Sequence, residues 1–219
     1  MSLRLYLDTA DIKAWKSWLP VGIFYGVTSN PLLLEKAQVP CDLESLTKLA
    51  TTAFDFGAQE VHLQTWGSTK EDLITTGQSL AAIDPRIVVK VPITRLGTEA
   101  ATTLIKNSVR VTLTAVYEVP QILIAAAIGA DYAAPYLGRI NDVTGNGLEI
   151  VAMMQQALNG VQSSTRILTA SIRNSTDISS LAAKGMNTFT FAPHIAEALF
   201  ASEQTAKATT AFELAAARQ

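Results

Sequence analysis

The sequence predicts an α/β chain folded as a (β/α)8 TIM barrel, a single barrel domain carrying an extra C-terminal helix. Three observations lead there. Short runs rich in Val, Ile, Leu, Phe and Thr alternate with longer helical patterns along the chain, which implies a parallel sheet. Eight such runs are present, each followed by a helical stretch. No G-x-G-x-x-G follows the first run and no P-loop occurs, which counts against the alternative, a doubly wound open sheet. At 219 residues the chain is short for a barrel, so its loops must be brief.

The elements follow in order. The first strand is Leu3–Asp8, and nothing before it has the basic-then-apolar layout of a secretion signal. A helix over Asp11–Trp18 comes next, with Trp15 and Trp18 on its buried face. Strand two is Gly22–Thr28, followed by a helix over Asp42–Phe56 that Gly57 ends. Strand three is Glu60–Gln64; its helix, Thr69–Ile83, opens on Ser68-Thr-Lys-Glu71, which reads as a capping box. Strand four, Ile87–Val91, leads to the helix Leu96–Lys106. Strand five, Arg110–Ala115, leads to Val119–Ile128, closed by Gly129. Strand six, Asp131–Pro135, leads to Gly147–Leu158. Strand seven, Arg166–Ala170, leads to Ser175–Lys184, closed by Gly185. Strand eight is Thr188–Ala192, with the helix Ile195–Phe200 after it. Gly57, Gly129 and Gly185 sit where left-handed helix caps would. The Ala-rich segment Glu203–Ala217 is a terminal helix. No linker or low-complexity tract interrupts the pattern, so residues 1–202 read as the barrel and 203–219 as a C-terminal oligomerisation helix.

Composition narrows the function. With 48% hydrophobic and 16% charged residues the chain is not disordered. A net charge of -2 offers no basic field for nucleic acid and no polybasic membrane patch. No apolar run reaches the length of a membrane span. A single cysteine, Cys41, excludes an internal disulfide framework, and two histidines, His62 and His194, leave little for a histidine metal centre. The expectation is a soluble, cytoplasmic protein without a metal. His62 and His194 are given no role.

In a parallel barrel, chemistry gathers at the C-terminal ends of the strands. Those positions hold Asp8, Thr28 with Asn30, Gln64, Lys90, Thr114, then Tyr136 and Arg139 after strand six, and Ser171 and Arg173 after strand seven. They are remote in sequence and share only their place on the barrel. Lys90 is the most informative, a lone lysine in the apolar strand Ile87-Val-Val-Lys-Val-Pro92. Alternation puts it on the face of Val88. If that face is the barrel interior, desolvation favours the neutral amine, a nucleophile towards carbonyl groups. If it is the outer face, the ammonium snorkels to water. Asp8 could be an acid/base group beside Lys90 or a cap of the first helix. Asn30 before Pro31 could be a turn residue, Tyr136 a core aromatic, and the two arginines either surface charges or a phosphate clamp.

Five segments resemble the small transaldolase and fructose-6-phosphate aldolase family, in order and over essentially the whole chain. They are Leu5-Tyr-Leu-Asp8-Thr9, Gly26-Val-Thr28-Ser-Asn30-Pro31, Val88-Val-Lys90-Val-Pro92, Ala134-Pro-Tyr136-Leu-Gly-Arg139 and Ala170-Ser171-Ile-Arg173. The resemblance implies a (β/α)8 class I aldolase that needs no metal or organic cofactor. It implies that Lys90 forms a Schiff base with a ketose phosphate, with Asp8 as general acid/base. Gln64, Thr114 and Tyr136 would complete the catalytic set by holding the water of imine formation and hydrolysis. Thr28, Asn30, Ser171, Arg139 and Arg173 would bind substrate, the arginines at its phosphate. It also implies sugar phosphates as substrates and a homo-oligomer, a pentamer or decamer.

The family has two branches. A transaldolase hands the dihydroxyacetone unit to an aldose phosphate, as in the pentose phosphate pathway; an aldolase releases free dihydroxyacetone. Gln64, Tyr136 and Thr112 resemble the aldolases, whereas Leu137-Gly-Arg139-Ile-Asn-Asp142 and Ala170-Ser-Ile-Arg173 resemble the transaldolases. Most small members are transaldolases, so that is the first expectation and aldolase the alternative. A sugar-phosphate isomerase or epimerase would leave an inward Lys90 unexplained; a non-catalytic barrel would use the Ala-rich C-terminal helix as its interaction surface.

Overall fold

The computed structural model describes residues 2–218; Met1 and Gln219, the outer ends of the two predicted units, lie outside them. The strands are β1 Arg4–Asp8, β2 Gly26–Thr28, β3 Glu60–Gln64, β4 Ile87–Pro92, β5 Val111–Val116, β6 Tyr132–Pro135, β7 Arg166–Ile167 and β8 Thr188–Phe191. They form one parallel sheet in the order β7-β6-β5-β4-β3-β2-β1-β8. The two ends meet through Thr169, whose N–H donates to Thr188 O at 3.0 Å and whose carbonyl accepts from Thr190 N at 2.9 Å. The result is the eight-stranded barrel that the alternation predicts.

The pleat sorts the side chains. Leu7, Val27, Val61, Leu63, Val89, Val91, Leu113 and Phe191 point outward and are buried beneath the surrounding helices. Each such side chain contributes about 1.5–3 kcal/mol by leaving water. Tyr6, Val88, Tyr132, Ala134 and Leu168 point inward and fill the barrel's middle. Val88 on the inner face decides the question left open for Lys90, which shares that face.

The floor of the barrel is polar. Glu60, 3% exposed, accepts from Tyr6 OH and Tyr132 OH at 2.8 Å each, from Arg110 Nη2 at 2.8 Å and from Arg4 Nη1 at 3.1 Å. His62 bridges this group to the layer above, with Nε2 at 3.3 Å from Glu60 and Nδ1 at 3.0 Å from Thr112 Oγ1. Burial works against the Glu60 charge, but the hydrogen bonds from His62 and Arg110 outweigh it and hold the carboxyl far below its usual range.

The helices are α1 Ile12–Trp18, α2 Pro31–Lys36, α3 Leu43–Asp55, α4 Lys70–Ala81, α5 Arg95–Lys106, α6 Val119–Ile128, α7 Leu137–Thr144, α8 Gly147–Gly160, α9 Ser175–Ala183, α10 Pro193–Phe200 and α11 Glu203–Ala216. Trp15 is fully buried and its indole donates to Thr9 O at 3.0 Å, while Trp18 packs edge-on to Phe24. Gly129 ends α6 at φ 72°, and Gly57 and Gly185 also take positive φ.

Several boundaries differ from expectation. β2 starts at Gly26 rather than Gly22, because Pro20 opens a 3-10 turn over Leu19–Val21 that Gly22 closes at φ 82°. The capping box of α4 pairs Thr69 with Asp72, one residue later than the predicted Ser68 and Glu71. β7 is regular only over Arg166–Ile167; Thr169 and Ala170 make single bridges to Phe189 and Tyr136 instead. α2 and α7, of six and eight residues, were not expected. Every described residue of α11 is exposed.

Candidate active site

The C-terminal ends of the strands open into a cleft of about 490 Å³. Eight of the predicted residues line it: Asp8, Asn30, Gln64, Lys90, Thr114, Tyr136, Arg139 and Ser171. They come from seven different strand ends or following loops, and the barrel register brings them together. Gln64 stands beside Lys90 across β3 and β4.

Lys90 is 5% exposed and its Nζ donates to Ser29 O at 2.6 Å. Burial lowers its pKa, and the charge of Asp8 opposes that in part. Asp8 is shifted the other way: burial raises its pKa, with Lys90 and the Thr28 hydrogen bond working against the rise. Asp8 does not cap α1, because Asp11 does so by accepting from Lys13 N at 2.9 Å. The carboxylate is therefore available to the cleft. An amine pushed towards neutrality and a carboxyl pushed towards protonation, in one buried cleft, suit nucleophilic addition to a carbonyl and proton transfer beside it.

Thr28 lies outside the cleft lining and is fully buried. Its hydroxyl donates to Asp8 Oδ1 at 2.6 Å, so its contact with Thr190 Oγ1, also 2.6 Å, must be donated by Thr190. Asn30 does two things: its side chain caps α2 by accepting from Leu33 N at 3.1 Å, and it faces the cleft. Tyr136 OH is 3.0 Å from Thr114 Oγ1, and its ring meets the Tyr117 ring edge to face. Burial raises the Tyr136 pKa, so its phenol keeps its proton.

Two lining residues hold left-handed backbone without being glycine, Ala115 at φ 59° and Ser171 at φ 57°. Ala115 sits at the β5 bulge between Thr114 and Val116. Strained positions of this kind are held by their surroundings, and here both lie in the cleft wall.

Arg173 does not line the cleft. Its guanidinium is 55% exposed and makes a two-pronged salt bridge with Asp142. Thr190 at the end of β8 does line it and was missed; the only available signal was its position as an inward polar residue at a strand end. Among the described residues no group of three or more His, Cys, Asp or Glu is placed to hold a metal ion, and no helix is long and apolar enough to cross a membrane.

Comparison with known proteins gives the following matches. Residues 5–219 match the family model described as Transaldolase/Fructose-6-phosphate aldolase. A probable transaldolase of Kosmotoga olearia is 31% identical over 210 residues, covering 96% of this chain and 94% of that protein. One from Exiguobacterium sibiricum is 32% identical over 197 residues, 90% of each. Among solved structures, a thiamine phosphate pyrophosphorylase from Pyrococcus furiosus superimposes with a TM-score of 0.62 at 14% identity, over 87% of this chain and 85% of that one. That likeness concerns the fold alone.

Proposed function

Because the chain belongs to the transaldolase/fructose-6-phosphate aldolase family, we propose that it transfers a dihydroxyacetone unit from a ketose phosphate to an aldose phosphate through a Schiff base on Lys90. The observation that carries this is the amine of Lys90, 5% exposed, with a lowered pKa and lying in the same cleft as Asp8.

The neutral amine adds to the ketone carbon and, with a proton delivered by Asp8, water leaves to form the protonated imine. Asp8 takes the proton of the hydroxyl two carbons away. The bond joining that hydroxyl-bearing carbon to the carbon next to the imine breaks, its electron pair enters the protonated imine, and an aldehyde departs. The remaining enamine attacks the acceptor aldehyde, and water then releases the product from Lys90. Thr114, Tyr136 and Gln64 are the polar groups that can hold that water. Asn30 and Ser171 face the hydroxyls of the three-carbon unit, and Arg139 meets the phosphate at the mouth.

The second reading is fructose-6-phosphate aldolase, in which water protonates and hydrolyses the enamine before an acceptor arrives. The Thr114–Tyr136 hydrogen bond, 3.0 Å long and in the same cleft as Gln64, favours it, since neutral donors would hold a water there. Under either reading the enzyme is a cytoplasmic homo-oligomer, a pentamer or decamer, and the exposed α11 supports this by leaving a helix with nothing to pack on.

Incubation with fructose 6-phosphate, with and without erythrose 4-phosphate, separates the branches. Sedoheptulose 7-phosphate formed only with acceptor identifies the transaldolase; free dihydroxyacetone identifies the aldolase. Borohydride added with fructose 6-phosphate should trap a covalent adduct in the wild type and none in Lys90→Ala. An active Lys90→Ala enzyme would refute the mechanism, as an isomerase or a non-catalytic barrel would give no adduct at all.

A further inference from the structure

Arg139, on α7, lines the cleft; Arg173, two residues after the lining Ser171, does not. Arg173 leaves the loop after β7 and lies against the first turn of α7. Gly138 makes room for it: a Cβ there would stand 2.7 Å from Arg173 Nε and 2.5 Å from Ser171 O. The guanidinium then meets Asp142 end-on, Nη1 and Nη2 each donating to one carboxylate oxygen at 2.5 and 2.6 Å. Asp142 follows Arg139 by three residues on α7, so the two share a helix face. The hydrogen bond from Arg173 and, more weakly, the charge of Arg139 hold the Asp142 carboxyl below its usual range. One carboxylate therefore sits in the field of both arginines.

A carboxylate and a phosphate want the same edge of a guanidinium. We propose that Asp142 is a specificity-determining residue: it occupies the edge of Arg173 that a substrate phosphate would otherwise take, so the cleft offers Arg139 first and Arg173 only in exchange for Asp142. This rests on the reading of Arg139 as the phosphate-binding group. A substrate ending in a hydroxyl leaves the pair closed and loses nothing by it. A phosphorylated one gains Arg173 only by displacing Asp142. The exchange is open to a dianion because both partners are more than half exposed, at 55% and 51%, and water and salt screen their attraction. Asp142 thereby narrows the preference for phosphorylated over unphosphorylated aldehydes.

The test is Asp142→Asn, assayed with glyceraldehyde 3-phosphate and with glyceraldehyde as acceptors. The KM for the phosphorylated acceptor should fall about threefold relative to the other, and inorganic phosphate should inhibit correspondingly more strongly. Asp142→Asn combined with Arg173→Ala should cancel the gain. A rise in the relative KM of Asp142→Asn would overturn the proposal, because Asp142 would then be aiming Arg173 at the phosphate. An unchanged ratio would overturn it too. Arg139→Ala separates the two levels: if it weakens the phosphorylated acceptor selectively while Asp142→Asn changes nothing, only the proposal fails. If Arg139→Ala leaves the ratio untouched, the phosphate reading fails and takes the proposal with it.

Discussion

Burial drives the pKa values of Lys90 and Asp8 towards each other, downward for the amine and upward for the carboxyl. The reactive amine is the neutral one, so kcat/KM should fall as pH drops through the lowered lysine pKa. Asp8 holds that pKa up by its charge. Asp8→Asn should therefore lower kcat by about 10²-fold and move the acidic limb of the pH profile to lower pH. A loss confined to KM, with the limb in place, would make Asp8 a binding residue. Gln64 and Tyr136 bear on the fate of the enamine. Replacing them with Glu and Phe removes a donor from each, so Gln64→Glu with Tyr136→Phe should raise the ratio of transfer to dihydroxyacetone release. An unchanged ratio would move the branch decision to other residues. Lys90 was legible in the sequence because a lone lysine in an apolar strand has few explanations. The pairing of Arg173 with Asp142 was not, because the partners are 31 residues apart and both look like ordinary surface charges.

At the scale of elements, the strands hold two layers of polar residues with separate tasks. The upper layer faces the cleft; the lower, on β1, β3 and β6 with Arg110 just before β5, ties the strands together around Glu60. Glu60→Gln leaves Arg4 and Arg110 facing a neutral group and should cost about 3 kcal/mol at pH 7, read from urea unfolding. The folded carboxyl has a depressed pKa, so its contribution is complete above the unfolded value of 4.5 and declines as pH falls below it. The gap between wild type and variant should therefore narrow in acid. A gap that is absent at pH 7, or that widens in acid, would contradict this account of the floor. The strands were legible from composition and spacing. α2 and α7 were not: α2 depends on the Asn30 cap and Pro31, and α7 on the backbone bonds of Leu137 and Gly138 to Ala170 and Ser171.

At the scale of the molecule, α11 is a helix of 14 residues with none buried. Helices of that length are marginal in water unless they pack on something. Phe212 and Leu214, 70% and 57% exposed, are the groups that a neighbouring copy would cover. Deleting residues 203–219 should convert a large oligomer into smaller species in sedimentation velocity while the barrel stays folded. A full-length chain that sediments as a monomer would refute the assembly.

The alternation of apolar runs and helical periods determined the barrel by itself, because parallel strands joined by helices close in few ways and each period records which side of an element meets the core. The residue types at the strand ends likewise pointed to the cleft, which eight of the ten expected residues line, while Thr28 and Arg173 do not. Tertiary structure alone decided which partner each polar group has. Thr28 supports Asp8 rather than reaching the cleft, His62 joins Glu60 to Thr112, and Asp142 takes the edge of Arg173. Hydrogen bonds and ion pairs act over a few ångströms in space, and residues far apart in the chain meet at that range only after the barrel has closed.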